Sequence, residues 1–228
     1  MPVAPVSRLK KSEIIWLSKH YCKAHRAPFL IHYSCLTREN PPDNPIYEKT
    51  GFADIEATGL AGDFDFMLSY CIKELDGPII GRVLTPQEIH RYIFDKKLIE
   101  EFSRDLRKFD RIVVHYGKDR RYDIPFARTR ALRWGIDFPS YKELNISDTY
   151  DIAKNKLKLH SNRLESICQH LKIPAKGHRL EPDIWQRANA GSKKDLDWIF
   201  IHNREDVIST EQVWKRLQPF IRMADTSI

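Results

Sequence analysis

Short apolar runs separated by turn residues dominate the chain from about residue 47 onward. Their lengths and flanking residues are typical of strands. Five strands are predicted, at about residues 51–57, 66–74, 78–84, 110–116 and 144–149. The dipeptide Asp76-Gly77 between the second and third strands is a strong hairpin signal. These two strands are therefore expected to pair as neighbours.

Helical patterns separate and follow the strands. Thr85 is the expected N-cap of a helix with Pro86 in its first position, and helical structure continues to Phe109 with a break near Asp95. Further helices are predicted at about residues 11–23, 123–134, 161–171, 182–190 and 193–217. The order of elements is three strands, helix, strand, helix, strand and then helices. This order predicts an α/β fold with a mixed sheet flanked by helices.

The first part of the chain has a different character. Residues 1–8 read as a loose arm, and Pro41, Pro42 and Pro45 mark a linker. We therefore predict an N-terminal appendage with its linker at residues 1–46 and a main domain at residues 47–228.

Composition and charge narrow the possible partners. Hydrophobic residues make up 42% of the 228 residues, which is enough for a core, and the formal charge is +7. This surplus favours a polyanionic partner such as nucleic acid, although a merely basic protein has the same charge. There is no membrane-length apolar run and no signal-peptide core, so a cytosolic protein without a membrane partner is expected. Four cysteines do not make a disulfide scaffold.

Two carboxylates on the first predicted strand are the clearest chemical signal. Asp54 and Glu56 alternate with the apolar residues Ala53 and Ile55. A strand points every second side chain to the same face, so the two carboxylates emerge side by side. Two neighbouring anions repel each other, and a shared cation relieves the repulsion. Oxygen ligands of this kind suit magnesium or manganese.

Two more acids and a histidine extend this set. Asp123 begins a predicted helix, where it could bind the same metal or act only as an N-cap. His202 and Asp206 are four residues apart on the last predicted helix and share one face. Asp206 borders the apolar stripe of that helix, so its carboxylate is expected to need a partner. His202 could instead be a packed histidine of the helix face.

Three motifs together resemble a known superfamily. They are Phe52-x-Asp54-x-Glu56-x-Thr58-Gly59-Leu60, then His115-Tyr116-Gly117 before Tyr122-Asp123-Ile124-Pro125-Phe126, then His202-Asn203-x-x-Asp206-Val207. From about Gly51 to Leu217 the chain resembles the DEDD superfamily of 3′–5′ exonucleases, which have the ribonuclease-H-like fold. Within it, the chain looks most like the bacterial, archaeal and phage proteins described as predicted exonucleases.

The resemblance implies roles for these residues. Asp54, Glu56, Asp123 and Asp206 would bind two Mg²⁺ or Mn²⁺ ions, and His202 would orient or deprotonate the attacking water. One departure concerns the third motif. Three residues separate His202 from Asp206, which is the spacing of the tyrosine subclass, whereas the histidine subclass has four intervening residues.

The activity implied is hydrolysis of phosphodiester bonds in DNA or RNA, with a single-stranded 3′ end as the expected substrate. Two alternatives remain open from the residues. One is a structure-specific endonuclease that uses the same metal site, and the other is a noncatalytic nucleic-acid-binding protein. The oligomeric state is not determined by the sequence.

Basic residues supply candidates for phosphate contacts, although solvated charged faces are equally common. The candidates, with Arg179 first, are Arg179, Lys176, Arg120, Arg121 and Arg163. Asp148 ends a predicted strand near the expected site, where it could support the metal or cap the next helix.

The N-terminal part contains a second candidate metal site. Cys22 and His25, then His32 and Cys35, form two pairs with the spacing Cys-x2-His and His-x2-Cys. Tetrahedral zinc uses such ligand sets, and one structural Zn²⁺ would stabilise a segment too small for its own core. The alternative is two ordinary cysteines and two surface histidines. Cys71 and Cys168 are predicted to be core thiols.

Overall fold

The computed structural model describes residues 11–21, 27–31, 49–140, 143–174 and 181–220. Within these ranges the strands form one mixed sheet in the order β3-β2-β1-β4-β5. The strands are β1 (Thr50–Ala57), β2 (Met67–Glu74), β3 (Ile79–Val83), β4 (Arg111–Val114) and β5 (Asn145–Asp148). β1 is antiparallel to β2 and parallel to β4, and β5 continues the parallel half. The predicted strands agree with these bounds to within two residues at each end.

Helices cover both faces of the sheet. They are α1 (Lys11–Lys19), α2 (Pro86–His90), α3 (Lys96–Leu106), α4 (Asp123–Trp134), α5 (Thr149–Lys156), α6 (Leu164–His170), α7 (Pro182–Asn189) and α8 (Lys193–Leu217). The helix α5 was not predicted. None of the described helices has the length and apolarity that a bilayer crossing requires.

Local signals account for several of these boundaries. The Thr85 side chain accepts from the backbone N–H of Glu88, and the Glu88 carboxylate accepts from the Thr85 N–H, which completes the predicted capping box. Gly135 has φ 66°, in the left-handed region that ends a helix, as predicted for the end of α4. The hairpin turn between β2 and β3 has Asp76 in the left-handed region, followed by Gly77.

The core lies on both sides of β1, and each side packs against different helices. Ala53 and Ile55 point to a large apolar cluster with the helices α3 and α4. On the opposite face, Phe52 packs against Val207 and Trp214 of α8. Since Asp54 and Glu56 follow Phe52 at intervals of two, β1 places both carboxylates on the face that α8 covers.

The N-terminal described residues form a small aromatic unit. The Trp16 ring stacks on His20 at a centroid distance of 4.0 Å and lies 6.0 Å from Phe29. Tyr21 pairs with Pro28 in an isolated antiparallel bridge. The boundary between the appendage (1–46) and the main domain (47–228) stays a prediction. The buried thiols of Cys71 and Cys168 agree with the predicted core roles.

Candidate metal centre

Asp206 and His202 reach the end of β1 from the long helix α8. One ligand atom each of Glu56, His202 and Asp206 lies within 4.8 Å of the others. His202 Nε2 is 3.4 Å from Asp206 Oδ2, one helical turn away. Asp206 is buried, while Glu56 and His202 are half-buried. Three side chains that can bind divalent cations, two carboxylates and one imidazole, therefore converge on one point.

Asp54 is held beside this group by a residue that the sequence interpretation did not single out. The side-chain amide of Asn203 donates to Asp54 Oδ2 at 2.5 Å. Asn203 is fully buried, and its Oδ1 accepts from Ser69 Oγ at 3.4 Å. The available signal was its place inside the His202-Asn203-x-x-Asp206 motif. Its role was missed because a single asparagine in a helix does not indicate a function by itself.

Asp123 supplies a buried carboxylate at the start of α4. Its Oδ2 is buried and has no hydrogen-bond partner. Burial raises the pKa of Asp123 well above its ordinary value, and the negative charges of Asp54, Asp148 and Asp206 raise it further. The N-cap position of α4 is Tyr122, whose side chain makes no capping hydrogen bond, and Asp123 is already inside the helix. The structure therefore does not favour the N-cap alternative for Asp123.

A glycine makes room for this carboxylate. A Cβ atom at Gly117 would lie 2.1 Å from Asp123 Oδ2, far inside van der Waals contact. Gly117 belongs to the His-Tyr-Gly part of the second motif, and its N–H donates to Asp148 at 3.1 Å. The loop after β4 thus limits the space around the Asp123 carboxylate.

Asp148 acts as the cap, which was one of its two predicted roles. Its carboxylate accepts from the backbone N–H groups of Tyr116, Gly117, Lys118 and Tyr150, at 2.9 to 3.2 Å. Burial raises the pKa of Asp148, while the backbone N–H groups of Tyr116, Lys118 and Tyr150 oppose the rise. With four backbone donors, Asp148 ties the loop after β4 to the start of α5.

The charge of the centre also affects its neighbours. Burial raises the pKa of the Cys71 thiol, and the nearby negative charge of Asp54 raises it further. Burial likewise raises the pKa of Tyr122, with contributions from the charges of Asp123 and Glu56. Cys71 is thus an inert thiol. These shifts show that acids of all three motifs act electrostatically on these neighbouring side chains.

The predicted nucleic-acid contacts fall in different environments. The Arg121 guanidinium lies 4.6 Å from the Tyr116 ring centroid and 4.8 Å from that of Tyr150, and it pairs with Asp151 at 3.0 Å. Arg120 is exposed in the same loop, with φ 67°.

Arg163 is exposed at the edge of a cavity of about 860 Å³ beside the second motif. The cavity is lined by His115, Tyr116, Tyr150, His160, Ser161, Asn162, Arg163 and Leu164. Lys176 and Arg179 lie outside the described residues, as do the possible zinc ligands Cys22, His25, His32 and Cys35.

Comparison with known proteins gives the chain a family and a fold. The family described as RNase_H superfamily matches residues 51–218, which cover all three motifs. A DNA polymerase of Archaeoglobus fulgidus is 27% identical over 143 residues, which are 55% of this chain and 18% of that protein. The structure of the family B DNA polymerase from Pyrobaculum calidifontis aligns with a TM-score of 0.58 at 17% identity, over 81% of this chain and 26% of that one. The predicted ribonuclease-H-like fold is confirmed, and the chain spans only a small part of each polymerase.

Proposed function

Since the chain belongs to the RNase_H superfamily, we propose that it is a metal-dependent nuclease that hydrolyses phosphodiester bonds from a 3′ end by a two-metal-ion mechanism. The observation that carries the proposal is the convergence of Glu56, His202 and Asp206 within 4.8 Å, together with the buried carboxylate of Asp123, on which the charge of Asp206 acts. Carboxylates of β1 and α8 lie close together there, and the negative charges of Asp54 and Asp206 raise the pKa of Asp123 at the start of α4.

The chemistry of the donors fits hard divalent cations. The candidate ligands are the carboxylates of Asp54, Glu56, Asp123 and Asp206, and Mg²⁺ and Mn²⁺ prefer oxygen ligands of this kind. The buried Oδ2 of Asp123 lacks a hydrogen-bond partner, which is costly unless a cation compensates it. When bound, a pair of such ions supplies a water of lowered pKa and positive charge for the departing oxygen.

Each residue of the centre then has a task of its own. His202 is half-buried and close to Asp206, where it could accept a proton from the attacking water as a general base. The Asn203 amide holds the Asp54 carboxylate in one orientation, which limits the reorganisation needed when substrate arrives. Gly117 leaves room for the Asp123 carboxylate because it has no side chain, and Asp148 holds the Gly117 N–H.

Nucleic acid is the substrate class that the surface supports best. The net charge of +7 favours a polyanion. The cavity beside the second motif has aromatic walls at Tyr116 and Tyr150 and a basic edge at Arg163. Aromatic faces bind unstacked bases and basic residues bind phosphates, so this cavity is suited to a single strand. The Arg121 guanidinium lies against both rings.

Cleavage of a 5′-labelled single strand tests the proposal directly. With Mg²⁺ or Mn²⁺, a 3′–5′ exonuclease shortens the strand one nucleotide at a time and produces a ladder. The variant Asp206→Asn should abolish this ladder. The variant Asp197→Asn on the same helix should not, because that carboxylate is exposed and pairs with Lys193.

The outcomes separate the three candidate activities. Discrete internal cuts would support the structure-specific endonuclease. Binding without cleavage, under every metal condition, would support the noncatalytic nucleic-acid-binding protein and contradict our proposal. DNA and RNA strands of the same sequence should be compared in the same assay.

A further inference from the structure

Two neighbouring loops display large apolar side chains to solvent. The first loop, residues 58–66, follows β1, and the second, residues 91–95, joins α2 to α3. Leu60 is 86% exposed, Phe64 89%, Tyr92 78% and Ile93 44%. We call these four residues the aromatic rim. Single exposed apolar residues are ordinary, but a group on two joined loops is typical of an interaction site.

The first loop is held in shape by its own hydrogen bonds. The Thr58 N–H donates to the Phe66 carbonyl at 3.0 Å, and the Phe66 N–H donates to Thr58 Oγ1 at 3.1 Å. Asp65 accepts from the Ala61 N–H at 2.9 Å. The exposure of Phe64 therefore belongs to an ordered loop and does not result from a lack of packing partners along a loose chain.

The second loop holds an unfavourable backbone conformation. Tyr92 has φ 55° and Phe94 has φ 50°, in the left-handed region that bulky residues rarely adopt. The carbonyl of Glu88 accepts from the N–H groups of both Ile93 and Phe94, each at 3.0 Å. This conformation directs Tyr92 and Ile93 outward, and the surrounding contacts maintain it.

A buried ion pair joins the two loops. Arg130 pairs with Asp95 at 2.7 Å and donates to the Gly62 carbonyl at 3.2 Å. The rings of Phe66 and Phe94 are 4.8 Å apart. The loops are thus linked by polar and aromatic contacts, so the rim is a preformed surface.

The rim borders the candidate metal centre. The first loop begins two residues after Glu56, and its Gly59 carbonyl accepts from the Tyr122 hydroxyl at 2.8 Å. Tyr122 immediately precedes Asp123. A strand that reaches the centre therefore has this loop as a neighbour.

The charge around the rim favours a polyanion. The second loop and the start of α3 carry exposed Arg91, Lys96 and Lys97. Asp95 lies between them in sequence but is fully buried and neutralised by Arg130. The first loop adds one exposed acid, Asp63. Basic residues that alternate with aromatic ones are typical of single-strand binding surfaces.

We propose that the aromatic rim binds the unpaired bases of a single-stranded nucleic acid by stacking, while Arg91, Lys96 and Lys97 contact its phosphates. This inference rests on the proposed function for the substrate class and adds a second binding surface beside the metal centre. Phe64 and Tyr92 are exposed enough to stack on bases, and stacking should tolerate different base sequences.

Binding of a fluorescent single strand to the full chain in EDTA tests the rim. Phe64→Ala and Tyr92→Ala should each weaken binding by about tenfold, in the range of one lost stacking contact. Phe64→Trp and Tyr92→Trp should restore it. Leu132→Ala is the matched control, because Leu132 is 75% exposed on α4 and is not part of either loop. Thermal melting of each variant verifies that it is folded.

A second probe separates stacking from charge contacts. In strands with a single abasic position, scanned along the sequence, one position should weaken binding to the natural chain. For the strand with its abasic site at that position, the alanine variants should bind only slightly more weakly than the natural chain, because the base that would stack is already absent. Equal binding of all variants, or equal binding of natural and abasic strands, would overturn the proposal and leave a protein segment as the occupant to consider.

The metal chemistry is measured independently with the p-nitrophenyl ester of thymidine 5′-phosphate, which offers a single base. If the natural chain releases nitrophenol in a metal-dependent reaction and the rim variants still bind strands normally, the proposed role of the rim is rejected and the proposed function stands. Absence of hydrolysis of both this ester and the labelled strands would reject the proposed function, whatever the binding assay shows.

Discussion

The Asn203 amide donates to Oδ2 of Asp54 at 2.5 Å and so joins residues that are 149 positions apart. The donor lies on the helix that also carries His202 and Asp206, and the acceptor lies on β1. The bond therefore fixes the register of the last helix against the strand at the candidate centre. Its loss should disturb ligand orientation more than the global fold.

Asn203→Ala should weaken activation by Mg²⁺ or Mn²⁺ by about 10- to 100-fold, as expected for a residue that orients a metal ligand. The measurement is cleavage rate as a function of metal concentration. Asn155→Ala is the control, since Asn155 is exposed on α5. An unchanged metal dependence would remove Asn203 from the centre.

Asp123→Asn should abolish cleavage and stabilise the metal-free protein at neutral pH. An ordinary aspartate titrates near pH 3.8, and in the folded chain the pKa of Asp123 is raised. Between pH 3.8 and the raised pKa, the folded state therefore binds more protons than the unfolded state. The contribution of Asp123 to the free energy of unfolding then falls as the pH rises through this range. The asparagine has no such charge.

The melting temperatures of the two proteins in EDTA should therefore agree near pH 3 and diverge above the ordinary aspartate pKa. The variant should melt higher by about 2–4 °C for each kcal/mol recovered. Added Mg²⁺ should stabilise the natural chain and have a smaller effect on the variant. A variant that melts lower at pH 7 would contradict the electrostatic reading.

His202→Ala should lower the cleavage rate by about 10²–10⁴, the range for a lost general base. The rate is measured at saturating metal, with the natural chain and the variant at the same pH. His170→Ala, an exposed histidine on α6, should change nothing. A loss of less than about threefold would make His202 a packing residue.

Arg130→Met should cost about 3–5 kcal/mol of unfolding free energy, because it leaves the buried Asp95 carboxylate without its charged partner. Asp95 is fully buried, and it also accepts from the Trp134 ring N–H at 2.9 Å. Arg128→Met is the matched control on the same helix, where a more exposed pair with Asp119 should contribute about 1 kcal/mol or less. Urea denaturation gives both values.

Purified protein should contain about one tightly bound zinc per chain if the Cys22, His25, His32 and Cys35 set is a metal site. Cys22→Ser should remove the zinc, whereas Cys168→Ala, which changes a buried thiol on α6, should keep it. Metal analysis by mass spectrometry measures the content. Zinc below about one tenth per chain in the natural protein would favour ordinary cysteines and histidines.

Much of the fold followed from local patterns. The helix from Asp123 to Trp134 was predicted with its observed bounds because Gly135 supplies a left-handed end. The hairpin at Asp76-Gly77 followed from turn chemistry alone. In contrast, α5 was not predicted, since only Thr149 and Ala153 of this short helix are buried and its apolar pattern is weak.

Local patterns also indicated some residues of the candidate centre more clearly than others. Asp54, Glu56 and Asp206 stand in periodic elements, where spacing alone assigns each side chain to a face. Asp148 stayed open between two roles, because its backbone donors belong to a loop some thirty residues earlier in the chain. Arg121 lies against two tyrosine rings that come together only in the folded protein, and its phosphate contact stays a prediction.

The chain therefore carries in its own periodicity and turn residues the order of the strands and helices and the identity of the acids they bear. These features depend on interactions between residues that are only a few positions apart in the sequence. The pairing of Asn203 with Asp54, the burial of Asp123 against Gly117 and the exposed rim around Phe64 arise only when β1, α4 and α8 pack on one sheet. Contacts between segments distant in sequence depend on how these elements pack, and no local sequence pattern predicts that packing.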